Sequence, residues 1–118
     1  MTSASWSSNV PGIVGAAQAA QFEAMRDAMD DLASKSADRV PYEEGDLDRS
    51  RHVQVERDGD EVHGVVSYDT VYARVQHEHP EFRHANGRTH DYLGGPLNEN
   101  RARYEDLLAQ RMREAHGG

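Results

Sequence analysis

The stretch "RHVQVERDGDEVHGVVSYDT", Arg51 to Thr70, constrains the fold of this chain more than any other. Val53 and Val55 alternate with polar residues, and Val62, Gly64, Val66 and Tyr68 resume the two-residue period after Asp58-Gly59. Such alternation marks strands with one buried face, and Asp-Gly suits the positive φ angles of a two-residue turn. Counting outward from that turn sets Val55 opposite Val62 and Val53 opposite Gly64. The result is a hairpin with one consistent apolar face.

On either side of the hairpin the period changes to that of a helix. "NVPGIVGAAQAAQFEAMRDAMDDLASKSADRVP" reads as one long helix, with Asn9 as its cap and Pro11 in the first turn, where a missing N–H costs nothing. Phe22, Met25, Met29 and Leu32 recur at steps of three and four and form a core stripe, with Arg26, Asp27, Asp30 and Asp31 mostly off it. Val40-Pro41 ends the helix, because proline disfavours the α region for the residue before it. An acidic connection, Pro41 to Ser50, leads into the hairpin, and "TVYARVQHE" is expected to turn and add a third strand. After Pro96, "LNENRARYEDLLAQRMREA" places Tyr104, Leu107, Leu108, Met112 and Ala115 at helical spacing. The order helix, hairpin, third strand, extended loop, helix predicts an α+β domain over residues 13–118. Residues 1–12 are small and polar and read as a flexible arm. Trp6 is the exception there, open to two readings: an anchor on a partner, or a side chain folded back on its own domain.

Of the 118 residues, 36% are hydrophobic and 29% charged, which allows one thinly cored domain and makes a homo-oligomer or a place in an assembly a natural expectation. A formal charge of −8 opposes the phosphate backbone and argues against nucleic-acid binding as the main task. There is no cysteine, so disulfide and thiolate chemistry are excluded. "MTSASWSSNV" has no basic residue and no apolar run, so an ordinary signal peptide is not expected, and no stretch has the length of a membrane span. These features predict a chain that folds in the cytoplasm.

Four of the seven histidines, His77, His79, His84 and His90, fall between Tyr72 and Pro96 among Glu78, Glu81 and Asp91. His77 and His79 would share one side of a strand and begin a zinc site that His84, His90 or Asp91 completes. Yet "HEHPE" is not the H-E-x-x-H spacing, and histidine in a polar loop is more often a surface hydrogen-bonding residue. A metal site is not the expected reading, and no cofactor is. Nucleophilic catalysis lacks a G-x-S-x-G elbow. A phosphate-binding loop lacks its context, since Gly12 and Gly15 open an alanine-rich helix with no expected strand before it. The chain is therefore not expected to be an enzyme.

Three ordered segments resemble a known family. "VPYEEGDLDRS" carries Pro41, Gly45, Leu47 and Ser50. "SYDTVYARVQHE" carries the Tyr72-Ala73 pair and Glu78. "HPEFRHANGRTHDYLGGPL" carries an H-P…N-G loop that ends in Tyr92, Leu93 and Pro96. In this order they are similar to the neck proteins of long-tailed bacteriophages, the minor capsid or tail-completion type, over roughly residues 13 to 115. The sequence departs from that pattern in its more acidic segment after Pro41 and in Gly94-Gly95 before Pro96. The resemblance implies a long N-terminal helix packed on a small antiparallel sheet, followed by a C-terminal helix. It implies protomers in a six-fold ring in the virion, assembled in the bacterial host cytoplasm. The partners implied are connector or stopper, tail-terminator and tail-tube proteins, with DNA only as a passing genome and no membrane. Leu47 and Tyr72 then become packing residues, and Gly45 and Gly59 turn residues. The loop from His77 to Thr89 becomes a contact surface, with His77, His79, Phe82, His84, Arg88 and Tyr92, together with Trp6, as interface candidates. Two alternatives stay open: a tail-terminator or head-closure (stopper) ring, and a small histidine-rich metal-binding protein.

Overall fold

A computed structural model describes residues 2–38, 51–68 and 93–117 of the chain. In chain order these form β1 (Thr2–Asn9), α1 (Gly15–Ala37), β2 (Arg51–Asp58), β3 (Glu61–Tyr68) and α2 (Gly94–Gly117). The three strands make one antiparallel sheet in the order β1-β3-β2. The α+β architecture expected from the sequence is the one observed.

The hairpin forms, but two residues out of the expected register. Its turn is Gly59-Asp60, so Asp58 pairs with Glu61, Val55 with Gly64 and Val53 with Val66. Gly59, at φ 63°, takes the left-handed conformation that the tight turn requires. A shift of two leaves every side chain on its expected face, whereas a shift of one would have inverted the sheet. That is why the apolar pattern located the face correctly while misplacing the turn.

Residues 2–9 are a strand and not an arm, at the edge of the sheet among the described residues. They pair with β3 throughout, from Thr2 opposite Tyr68 to Asn9 opposite Glu61. Ala4, Trp6 and Ser8 therefore share the inner face with Val62, Gly64 and Val66. Ser3, Ser5, Ser7 and Asn9 stand on the outer face and are exposed. The two-residue period was present in the sequence, but Ala and Ser carry too little hydrophobic contrast to reveal it. The expected third strand, Thr70 to Glu78, lies outside the described residues.

Forming β1 also moves the start of the first helix. Asn9 is held in the ladder and Val10 N–H donates to the Asp60 carbonyl at 3.2 Å, so Asn9 does not cap the helix and Pro11 is not in its first turn. Helix α1 begins at Gly15 after an extended Val14 and ends at Ala37. In α2, Pro96 sits inside the first turn, where the Leu97 N–H makes a 3.1 Å bond to the Leu93 carbonyl and proline gives up no helical bond.

The core lies between the inner sheet face and the two helices. Met25, Met29 and Leu32 of the predicted stripe are fully buried with Ala24 and Ala28, and Phe22 packs at the margin. Tyr104 and Leu108 of α2 are buried, with Leu107 and Met112 beside them. Each large apolar side chain removed from water in this way contributes roughly 1.5–3 kcal/mol. Polar groups inside are matched: the Ser36 and Tyr68 hydroxyls are 2.8 Å apart, and no buried side-chain N or O among the described residues lacks a partner.

Candidate functional site

Three polar constellations occur on the described residues, each positioned by a different part of the fold. The first ties α1 to α2. Asp31 accepts hydrogen bonds from the Tyr104 hydroxyl at 2.6 Å and from Arg103, and Lys35 lies 3.5 Å away. One helical turn back, Asp27 pairs with Arg111 at 2.6 Å. Partial burial pushes the Asp31 carboxyl upward, but the Tyr104 hydrogen bond and the charges of Arg103 and Lys35 outweigh it and hold the carboxyl below its ordinary value. Burial, and then the bond to Asp31, push the Tyr104 phenol well up. This arrangement is a latch between helices: acceptors on α1, donors on α2.

The second constellation fixes β1, α1 and β2 to one another. The Gln21 side chain, fully buried, donates from Nε2 to the Ser8 carbonyl at 3.2 Å and to the Ser8 hydroxyl at 3.3 Å. Its Oε1 accepts from Arg57 at 2.8 Å, and the same guanidinium nitrogen reaches the Gln18 carbonyl at 2.8 Å. Arg57 stands on the inner sheet face because its register partner is Val62. A charge there is tolerable because Arg57 is only half-buried and oxygens of Gln18, Gln21 and Gly59 accept from it.

The third lies on the outer sheet face and has the outline of a catalytic relay. Ser7 of β1 is opposite His63 of β3, and its hydroxyl meets His63 Nδ1; His63 Nε2 lies 2.7 Å from Glu61 Oε1. Sequence reading missed it because the three residues belong to strands 56 positions apart, and only the register brings them together. The surroundings do not suit acyl transfer. His63 is 45% exposed and Glu61 36%, so water screens the carboxylate that would have to support an imidazolium. Ser7 sits in mid-strand, not at an elbow where backbone amides converge on a reacting carbonyl. The grooves beside the helices include neither His63 nor Glu61 in their walls. Chemically this is a hydrogen-bonded row that joins β1 to β3.

Of the interface candidates, Trp6 alone is described, and it is not an exposed anchor. It is 9% exposed and faces Tyr104 with ring centroids 6.3 Å apart, a tilted aromatic contact between β1 and α2. His77, His79, Phe82, His84, Arg88 and Tyr92 lie outside the described residues, as does His90. Among the described residues, no group of three or more His, Asp or Glu side chains could hold a metal ion. No helix among them is long and apolar enough to cross a membrane.

Gly12 and Gly15 do not form a phosphate loop, for a reason other than the expected one. A strand, β1, does precede them, contrary to expectation. The Gly12 N–H, however, donates to the Asp60 carboxylate at 3.0 Å, and that negative charge repels a phosphate.

No family model, curated protein or solved structure matches this chain.

Proposed function

We propose that this chain is a structural subunit of the head–tail neck of a long-tailed phage. It forms a ring that completes the connector–tail junction and lets DNA pass, and it carries out no catalysis. The observation that carries this reading is a coincidence of two kinds of signal. The ordered motifs from Pro41 to Ser50, Ser67 to Glu78 and His79 to Leu97 resemble that family. The helix, antiparallel sheet and helix around them have the framework the resemblance implies. The polar constellations support a mechanical role, since all three fasten elements together, the third while open to water. The acidic balance suits a lumen through which DNA slides without adhering. A tail-terminator or stopper ring is the neighbouring reading within the same class.

The test is co-expression with candidate connector, tail-terminator and tail-tube proteins, followed by light scattering and negative-stain imaging. Rings formed on a partner are expected. A chain that never associates with any of those proteins sinks the neck reading, and a lumen lined by neutral or basic residues sinks the sliding-channel part of it.

A further inference from the structure

We infer that the edge of β1 that no described strand covers pairs with β1 of a second copy, antiparallel across a two-fold axis, so that the two sheets become one. This goes beyond the neck reading and does not rest on it; a ring of single polarity would require the pair to part.

Among the described residues β1 has β3 on one side and no strand on the other, and β2 forms the opposite edge. An unpaired edge is a template for another chain unless charge, proline or a bulge blocks it. β2 is guarded by Arg51, His52, Glu56, Arg57 and Asp58, whereas β1 reads Thr-Ser-Ala-Ser-Trp-Ser-Ser-Asn, with neither charge nor proline.

Charge then selects the occupant. The chain has 13 basic and 21 acidic side chains, yet none before Glu23. Two copies at −8 each repel except where they meet through neutral surface, and β1 with the connection to α1 is that surface. Below the edge, α2 flanks β1. A hollow of about 170 Å³ at Trp6, Leu108 and Ala109 shares Met112 with an apolar hollow of about 320 Å³ walled by Ile13 and Val14. Val14 is 74% exposed, an apolar side chain that a partner would cover. Glu105 borders the first hollow and Arg113 the second, so α2 follows β1 in the same direction. A two-fold axis reverses that direction in the second copy and turns the Glu105 end of one trough toward the Arg113 end of the other. The edge is thus neutral along its strand and complementary at its ends.

Sedimentation across a concentration series tests the pairing, with two matched lysine substitutions. Ser5 and Gln54 are both exposed on the outer face, and both are register partners of Val65, one on each edge. Wild type is expected to be a reversible dimer. Ser5→Lys sets two lysines near each other across the axis and raises the dimer Kd at least tenfold, while Gln54→Lys leaves it unchanged. Circular dichroism and melting temperature should stay at wild type for both; if Ser5→Lys unfolds, Ser5→Glu carries the same test, since like charges again meet across the axis. A wild-type chain that stays monomeric into the high micromolar range overturns the inference. So do equal effects of the two lysines, or an effect of Gln54→Lys alone. Failure of the chain to bind any neck protein leaves this result untouched, so the two readings fail separately.

Discussion

Gly64 on β3 lies directly beneath Met29 of α1, and the space between them admits only one side chain. A Cβ at position 64 would come 2.8 Å from Met29 Sδ and 2.7 Å from Met25 Sδ, inside contact distance. Gly64 is also the register partner of both Trp6 and Val55, so it is the low point of the inner face where the helix settles. Gly64→Ala should therefore destabilise the fold by about 1–3 kcal/mol through overpacking. Denaturant unfolding reads this directly. In a Met29→Ala background the same change should cost less, because Met29's atoms are gone and only Met25 Sδ still competes for the space. Equal costs in the two backgrounds would show that the pair does not share the space.

The buried Gln21 holds three elements through its two amide ends. Gln21→Leu keeps the volume but removes the partner of the Ser8 hydroxyl and one partner of Arg57. The expected loss is about 1 kcal/mol, the low end for unsatisfied polar groups, because Ser8 and Arg57 are only half-buried. Hydrogen exchange should locate the effect: amides of β1 next to Ser8 should exchange faster, and those of α2 should not change.

Asp31 makes the helix latch pH-dependent, with a definite sign. Its folded carboxyl titrates below the ordinary 3.8, so its contribution is complete at neutral pH and is lost as the pH falls through the folded value. The difference in melting temperature between wild type and Asp31→Asn should be constant near neutrality and shrink below pH 3.8. Tyr104 acts at the other end of the scale. Its phenol is raised above the ordinary 10.0, so the stability it brings is present below that value and is lost as the pH rises beyond it. Tyr104→Phe should flatten the alkaline limb of the same curve.

The Ser7–His63–Glu61 row should not behave as a nucleophilic site. Cleavage of an activated ester such as p-nitrophenyl acetate is expected to show no Ser7-dependent component, and Ser7→Ala should leave it unchanged. A Ser7-dependent burst of product would refute a purely structural role for the row.

What could be read in advance follows from how strongly each residue contrasts with its neighbours. The hairpin strands and the Met25-Met29-Leu32 stripe were legible because valine and methionine stand out against charged residues at a fixed period. The same contrast was weak in "TSASWSSN", where serine and alanine give little signal, and a strand was read as an arm. Asn9 and Pro11 carried a valid helix-start pattern, but the ladder with Glu61 and the bond to Asp60 claimed that segment first.

The candidate site was less legible than the fold. Trp6 was singled out for its size at a polar terminus, yet whether it pointed to a partner or inward depended on Tyr104, nearly a hundred residues away. The Ser7–His63–Glu61 row and the Asp31–Tyr104 latch left no trace along the chain, since Ser7 lies on a different strand from His63 and Glu61, and Asp31 on a different helix from Tyr104.

By itself, then, the sequence determined which faces are apolar, that helices flank a hairpin, and that the first 22 residues carry no charged side chain. Those are properties of local order and composition. Only the tertiary structure decided that β1 completes the sheet, that the turn is Gly59-Asp60, and which polar groups meet. Backbone hydrogen bonds between distant segments fix register, and register places side chains opposite one another. No period within a single segment encodes that.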